Sequence, residues 1–341
     1  MKKYAKISKY FNYLLQLFII VLTYSYLYRE VFFRKDFQTI VHSVSEFFHS
    51  VNFRFYSILV GLLMLVNWLL EAFKWKYMIR KIEKVSIQNA FTAVLSGISV
   101  SVFTPNRTGE YFGRVFILQK ARRWDAVFIT ILGSMCQLLV TILMGSMGLL
   151  LFFPFVLREF LHDNIFLYYA IVFTIILANV LLIFLYFNAA LFSHWAGLVF
   201  SKWVQKHPSF FEAFSFYSSR ELFIILIFSL FRYVVFSMQF FLLLRAFFVP
   251  VDYFHAMILA SIIFFIMAAI PTVLLTEIGV RGSVSIFVFG LYFTTATLNN
   301  SIELGILAAS SLLWFINLAV PAMAGTFFVF RLKFFRKKSG I

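Results

Sequence analysis

Two polar stretches in this 341-residue sequence share one arrangement of proline, glutamate and arginine. The first reads TPNRTGEYFGR over residues 104–114, and the second reads IPTVLLTEIGVRG over residues 270–282. In each stretch a glutamate precedes an arginine by four residues, which places both side chains on one face of a helix. The pairs are Glu110 with Arg114 and Glu277 with Arg281. An isolated charge at bilayer depth costs at least about 2.5–3.5 kcal/mol, so the spacing predicts charges that neutralise each other inside a membrane.

Pro105 and Pro271 each end an apolar run, and together with Gly109 and Gly279 they are predicted to mark two helix breaks. Proline lacks an N–H group and ends the preceding helix, and lipid cannot satisfy the carbonyl groups that become exposed. A break of this kind therefore requires surrounding protein or a water-filled cavity. The helix that restarts presents free N–H groups and the positive end of its dipole, which suit a phosphate or a carboxylate.

Six charged side chains are candidates for binding an anion: Arg107, Glu110, Arg114, Arg232, Glu277 and Arg281. The alternative is that the Glu–Arg pairs only clamp the turns, and for the glutamates the two interpretations are evenly balanced. Arg232 lies ten residues into an apolar run, too deep to reach the membrane surface by snorkelling. We predict that it faces the protein interior and either pairs with Glu277 or Glu110 or awaits an anionic ligand.

The segments that carry these residues are long and apolar. Hydrophobic residues make up 62% of the sequence and charged residues 13%, which excludes a soluble domain, since soluble domains average about 25% charged residues. Runs of the length that crosses a bilayer predict six crossings, at about 11–28, 55–75, 126–153, 165–187, 222–247 and 301–330. The shorter runs 87–104 and 254–270 end at the prolines and are predicted half-helices. The predicted fold is an all-α polytopic membrane helix bundle that forms one transmembrane domain over residues 1–341.

The distribution of basic residues predicts the orientation of this bundle. With a cytoplasmic N-terminus and broken segments that return to their own side, 22 of the 30 Lys and Arg residues lie in the cytoplasm and six outside, as the positive-inside rule requires. Both termini are then cytoplasmic. Three crossings separate the breaks, so the first break opens to the cytoplasm and the second to the outside. This predicts re-entrant half-helix pairs in an inverted repeat with halves of about 1–164 and 165–341, as in many secondary transporters.

Other polar features are interpreted as structural. Gln137 and Gln239 are predicted to form hydrogen bonds between helices, and Glu71 is predicted to pair with Lys74 at the membrane interface. Six separate histidines and the single Cys136 make no metal-binding pattern, so neither a metal nor a cofactor is expected.

Three segments are interpreted by their position relative to the membrane surface. Amphipathic segments over 37–51 and 191–203 are predicted to lie in the interface. The first apolar run, 11–28, lacks a small-residue cleavage site and is interpreted as a retained crossing rather than a signal peptide.

The two breaks resemble the motifs of the lysylphosphatidylglycerol synthase transmembrane-region family, also described as flippase-like integral membrane proteins. Residues 96–114 are similar to the first motif and residues 270–282 to its C-terminal counterpart. The resemblance implies a helix bundle in the bacterial inner membrane. Fused members also transfer an amino acid from tRNA to phosphatidylglycerol, but this sequence ends at Ile341, so only the lipid-translocating role is expected. Many members carry a glutamate directly after the arginine, whereas Gly282 follows Arg281 here.

The leading hypothesis is a non-enzymatic lipid flippase or transporter that moves an anionic or modified polar lipid, either a phospholipid or a polyprenyl-type lipid, between leaflets. The headgroup phosphate would contact Arg107, Arg114, Arg232 or Arg281. One alternative is a membrane-embedded lipid-modifying transferase, although the sequence has no Asp-x-Asp, His-Glu-x-x-His or Gly-x-Ser-x-Gly motif. The other is a non-transporting partner of an envelope-lipid machine. No nucleic-acid partner is expected, and the oligomeric state, any soluble partner and the energy source stay open.

Overall fold

The computed structural model describes residues 50–102, 104, 107–156, 165–188, 216–271, 274–293 and 300–329, together with Leu17 and Val21. Within these ranges the chain is helical and contains no strand, as the sequence predicts. The rest of the first predicted crossing, both termini, and nearly all of the two amphipathic segments lie outside the described residues. Pro105 lies outside them too.

The described residues form ten α-helices and one π-helical turn. In chain order they are α1 (Val51–Ile79), α2 (Ile87–Ser101), α3 (Gly109–Val115), α4 (Arg123–Val156), α5 (Ile165–Phe187), α6 (Ser219–Ala246), α7 (Tyr253–Ala269), α8 (Leu274–Tyr292), α9 (Asn300–Trp314), the π-turn (Phe315–Ala319) and α10 (Val320–Val329). Five segments are long and apolar enough to cross a membrane, namely α1, α4, α5, α6 and the continuous α9–α10. They correspond to five of the six predicted crossings, and α2 and α7 correspond to the predicted half-helices.

Side-chain caps determine where four of these helices begin. Ser50 caps α1, Ser86 caps α2 and Ser218 caps α6, each by accepting a hydrogen bond from a backbone N–H of the first turn. Asp252 does the same for α7. Such caps satisfy N–H groups that have no partner inside the helix. The pKa of the Asp252 carboxyl lies below its usual value because it accepts from the side chain and backbone of His255.

The helices are interrupted after both apolar runs, as predicted. The first interruption separates α2 from α3, and the second separates α7 from α8. At the second break, Ile270 is extended, with φ −88° and ψ 114°. This is the conformation to which a residue preceding proline is restricted, because the ring of Pro271 disfavours the helical region for its neighbour.

The packing of the helices repeats between the two parts of the chain. Helix α1 packs along α6, α2 packs on α10, and α7 packs on α4, while α3 and α8 contact the half-helices that precede them. The contacts that helices of residues 50–156 make are thus matched by contacts of the corresponding helices of residues 216–329. Two structural repeats produce this pattern. Two apolar cores result, one around Trp75, Ile98 and Trp314 and the other around Phe240, Leu259 and Phe289.

Two glutamines make the interhelical hydrogen bonds predicted for them. Gln137 of α4 donates from Nε2 to the carbonyl oxygen of Ser229 in α6 at 3.3 Å. Gln239 of α6 donates from Nε2 to the carbonyl oxygen of Val60 in α1 at 3.0 Å. Both bonds tie α6 to its neighbours, and α6 carries Arg232.

Candidate functional site

A cavity of about 650 Å³ lies between the two breaks. The breaks contribute Thr104, Arg107, Pro271, Glu277 and Arg281 to its lining. Further polar lining residues are Asn67, Trp68, Gln137, Arg232 and Asn317. Apolar and aromatic lining residues include Tyr233, Phe236, Phe264, Met267 and Trp314. Charged groups and apolar side chains therefore share one cavity inside the bundle.

The first break is held in shape by Thr104. Its Oγ1 donates to the carbonyl oxygen of Ser101 at 3.0 Å and accepts from the backbone N–H of Gly109 at 2.7 Å.

Arg107 has a φ of 57°, a left-handed conformation that costs a non-glycine residue about 1 kcal/mol or more. Its guanidinium reaches the second break, where Nη2 lies 2.6 Å from Glu277 Oε1. A direct ion pair thus joins two breaks that are far apart in the sequence.

The second break contains the predicted pair of Glu277 and Arg281. Arg281 Nη2 donates to Glu277 Oε1 at 2.9 Å, so this buried carboxylate is held by two guanidinium groups. Gly279 was predicted to interrupt the helix here, but it lies inside α8, which has already restarted at Leu274. Gly109, in contrast, is the first residue of α3 and lies at the break as predicted.

Glu71 of α1 is the centre of a second group of ion pairs. Its Oε1 accepts from Arg114 Nη1 at 2.6 Å, and its Oε2 pairs with Lys74 at 2.8 Å and with Arg232. Arg114 also pairs with Glu110, as its spacing predicts. Glu71 is 4% exposed and Lys74 is 1% exposed. The predicted Glu71–Lys74 pair exists, but its predicted place at the interface is wrong, because the pair is buried inside the bundle.

Arg232 faces the protein interior, as predicted, but its acidic partner differs from the two predicted ones. It pairs with Glu71 rather than with Glu277 or Glu110. The reason is that α1 packs along α6, which brings Glu71 opposite Arg232. Glu277 is instead occupied by the two arginines of the breaks, and Glu110 by Arg114.

Side chains of two other helices, α1 and α4, surround the Arg232 guanidinium. Nε donates to Asn67 Oδ1 at 3.0 Å, and Nη1 donates to Gln137 Oε1 at 3.4 Å. The guanidinium carbon lies 5.5 Å from the Trp68 ring centroid, within the range of a cation–π contact. Asn67 in turn donates from Nδ2 to Asn317 Oδ1 of the π-turn at 3.3 Å. Arg232 Nη2 makes no hydrogen bond to a described residue.

Sequence reasoning overlooked Asn67 and Asn317 and misplaced Glu71. A usable signal existed in α1, because Asn67 and Glu71 are four residues apart within an apolar crossing and therefore share one helix face. Two such polar residues on one face indicate a partner on a neighbouring helix. Asn317 gives no comparable signal, since its role depends on a π-helical turn that has no sequence pattern of its own.

The structure divides the six candidate residues into two sets. Arg107, Arg232, Glu277 and Arg281 line the cavity, whereas Glu110 and Arg114 lie outside the lining. In the two ion-pair groups, five cations meet three carboxylates among the described residues. Of these, three arginines and one glutamate line the cavity, so the described lining itself carries an excess of two positive charges.

The most accessible of these cations are at the cavity. The side chain of Arg107 is 39% exposed and that of Arg232 is 16% exposed, more than those of the other three. Three N–H donors of lining residues are buried with no acceptor in the described part of the chain: Trp68 Nε1, Arg281 Nε and Trp314 Nε1. The exposed guanidinium groups of Arg107 and Arg232 offer positive charge and N–H donors to the cavity, which suits an anion. No group of described His, Cys, Asp or Glu residues could hold a metal ion.

Comparison with known proteins gives one family match. The family model described as Lysylphosphatidylglycerol synthase TM region matches residues 14–299. The matched range includes both breaks, Glu71 and Arg232. None of the curated proteins matches the chain.

Proposed function

This chain belongs to the lysylphosphatidylglycerol synthase TM-region family, and from that premise we propose that it moves an anionic lipid between the leaflets of the bacterial cytoplasmic membrane without altering it chemically. The family and the apolar helices make it a multi-pass membrane protein with a lipid-related function. The observation that carries the proposal is the excess of two positive charges at a cavity that also has apolar walls. A lipid combines an anionic group with an apolar chain, so it matches both parts of this lining.

The headgroup phosphate contacts Arg107 and Arg232 in this proposal. Both guanidinium groups keep exposed surface at the cavity, and guanidinium binds phosphate oxygens through directed, charge-assisted hydrogen bonds. Phe236, Phe264 and Met267 offer apolar surface to the first part of an acyl chain. Arg114 and Lys74 have a different role, since they pair with Glu71 and lie outside the lining.

Access from both leaflets follows from the predicted inverted arrangement of the breaks. A break open to the cytoplasm and a break open to the outside would expose one central site to each side in turn. The Arg107–Glu277 ion pair joins the two breaks. When a phosphate replaces Glu277 as the partner of Arg107, Glu277 keeps its ion pair with Arg281. This exchange of partners leaves no carboxylate without a cation.

Lipid movement can be measured in proteoliposomes that contain fluorescent short-chain phosphatidylglycerol. Dithionite destroys the label in the outer leaflet only, so translocation increases the fraction of label that is lost. We expect the wild-type chain to increase this fraction and Arg107→Gln to slow translocation about tenfold, because one charge-assisted contact to phosphate is removed. Arg122→Gln is the matched control. Its side chain is 74% exposed and pairs with Asp125 outside the cavity lining, so it should translocate like wild type.

The proposal fails if wild-type proteoliposomes lose no more label than protein-free liposomes for any anionic lipid tested. It also fails if Arg107→Gln and wild type translocate at one rate. Mass spectrometry of the lipids after incubation tests the lipid-modifying alternative. A covalently altered lipid would favour that transferase over a transporter.

A further inference from the structure

We infer that the cavity selects a doubly charged phosphoryl group, a phosphomonoester or a diphosphate, over a singly charged phosphodiester and over headgroups that carry an ammonium group. This inference rests on the proposed function and deepens it by naming the chemical class of the headgroup. It depends on the number of charges around the cavity and on the kind of hydrogen-bonding groups left there.

The charge count is the first step. Glu71 is shared by Lys74, Arg114 and Arg232, and Arg114 is shared with Glu110. At the second break, two guanidinium groups share Glu277. The residues at the breaks that the structure does not describe are uncharged in the sequence: Phe103, Pro105, Asn106, Thr272 and Val273.

The consequence of this count depends on the ligand charge. A phosphodiester with one negative charge leaves one of the two excess positive charges unbalanced. A phosphomonoester or a diphosphate can balance both. The difference matters because charges interact more strongly in a buried site than in water, and because buried charge without a counter-charge is costly.

The hydrogen-bonding groups give the second step. Arg107 bonds Glu277 through Nη2 only, and Arg232 Nη2 has no partner among the described residues. The amide oxygens of Asn67 and Gln137 are already engaged by Arg232. The two exposed guanidinium groups therefore present only hydrogen-bond donors to a ligand. The terminal oxygens of a phosphomonoester only accept hydrogen bonds when fully ionised, whereas an ammonium group only donates and is repelled by the cations.

The apolar part of the lining commits the inference to a lipid. Phe236, Phe264 and Met267 line the same cavity as the arginines, and the rings of Phe236 and Phe264 lie 5.0 Å apart between centroids. Inorganic phosphate would leave this surface without a partner. A phosphoryl group attached to an acyl or polyprenyl chain uses both parts of the lining.

Native mass spectrometry of the full chain in detergent tests the inference with three dioleoyl lipids at pH 8.5: phosphatidic acid, phosphatidylglycerol and phosphatidylethanolamine. At this pH the phosphomonoester is mostly doubly charged. We expect phosphatidic acid to bind about tenfold more tightly than phosphatidylglycerol, with phosphatidylethanolamine weakest. Inorganic phosphate and glycerol 3-phosphate at the same concentrations should bind far more weakly than phosphatidic acid. If either binds as tightly, the lipid assignment is overturned.

Variants with a smaller charge excess should lose this preference. Arg107→Gln removes one positive charge, and Gln137→Glu adds one negative charge at a lining residue that already accepts from Arg232. Either change should bring phosphatidic acid to the affinity of phosphatidylglycerol, while Arg122→Gln should keep the tenfold ratio. Thermal unfolding shows whether each variant folds. If one of the two does not fold, the affinity ratio is measured with the other.

Equal affinity of wild type for phosphatidic acid and phosphatidylglycerol would overturn the inference, as would an unchanged ratio in the folded variants. These outcomes are separate from failure of the proposed function. A chain that prefers phosphatidic acid but moves no lipid would support the inference and contradict the transport proposal. A chain that moves phosphatidylglycerol and binds both lipids equally would support the transport proposal and contradict the inference.

Discussion

Glu71 uses its two carboxylate oxygens to hold three cations that come from three different helices. Lys74 lies one turn further along α1, Arg114 lies on α3 and Arg232 lies on α6. A buried ion pair gains little stability over an apolar pair, but loss of one partner leaves the other charge without compensation. At this residue the loss would affect three cations together, so Glu71 fixes the position of Arg232 beside the cavity.

Replacing Glu71 with glutamine should lower the free energy of unfolding by about 3–5 kcal/mol, because the buried cations lose their shared counter-charge. Denaturant titration in detergent, followed by tryptophan fluorescence, measures this change. Glu303→Gln is the matched control. Glu303 is half-buried in the first turn of α9 and makes no ion pair among the described residues, so its loss should cost less than about 1 kcal/mol. Equal unfolding midpoints for the two variants would contradict the role given to Glu71.

The contacts of the charged residues show how far the sequence could predict the site. Glu110–Arg114 and Glu277–Arg281 were predictable because a spacing of four residues determines a helix face. The Arg107–Glu277 and Arg232–Glu71 pairs join residues far apart in the sequence and depend on how helices pack. An apolar segment has no local pattern that selects a distant partner. Five of the six predicted crossings coincide with long apolar helices, since length and hydropathy are properties of a single segment.

Glycines set the distance between helices around the first break. A Cβ atom on Gly113 of α3 would lie 2.7 Å from the Gly97 Cα of α2, so these two helices touch through backbone atoms. A Cβ atom on Gly325 of α10 would overlap the carbonyl oxygen of Leu95 and the hydroxyl of Ser99, both in α2. Small residues allow such close approach inside membranes, where packing rather than apolar burial drives helix association. Helix α2 is thereby clamped from two sides.

Gly325→Ala should lower the free energy of unfolding by about 1–3 kcal/mol, because the added methyl group forces α10 away from α2. It should also weaken the hydrogen bond from Ser99 Oγ to the Ala322 carbonyl oxygen, now 2.7 Å long. Gly61→Ala in α1 is the control, since a Cβ atom there meets nothing within 4 Å. That change should be neutral or stabilising by up to about 1 kcal/mol, from helix propensity alone. If Gly325→Ala unfolds at the wild-type midpoint, the close approach does not limit the packing.

At the scale of the whole molecule, the half-helices of the two parts of the chain are related by one offset in sequence number. The caps Ser86 and Asp252 are 166 residues apart, and so are the prolines Pro105 and Pro271. Each cap starts a half-helix that ends before a break, and each half-helix packs on the long helix after the other break. Helices α4, α5 and α6 separate the two breaks. If all three cross the membrane, their odd number turns one part of the chain upside down relative to the other.

This arrangement makes a prediction about sidedness at two equivalent positions. Lys84 and Pro250 are both exposed, and each lies two residues before a cap, Ser86 or Asp252. In intact cells a membrane-impermeant maleimide should label Pro250→Cys but not Lys84→Cys, and inverted vesicles should give the reverse. The unmodified chain is the control, because Cys136 is its only cysteine and is fully buried. Labelling of both variants from one side would contradict the inverted repeat. Both breaks would then open to the same leaflet, and alternating exposure of the cavity between them would lose its structural basis.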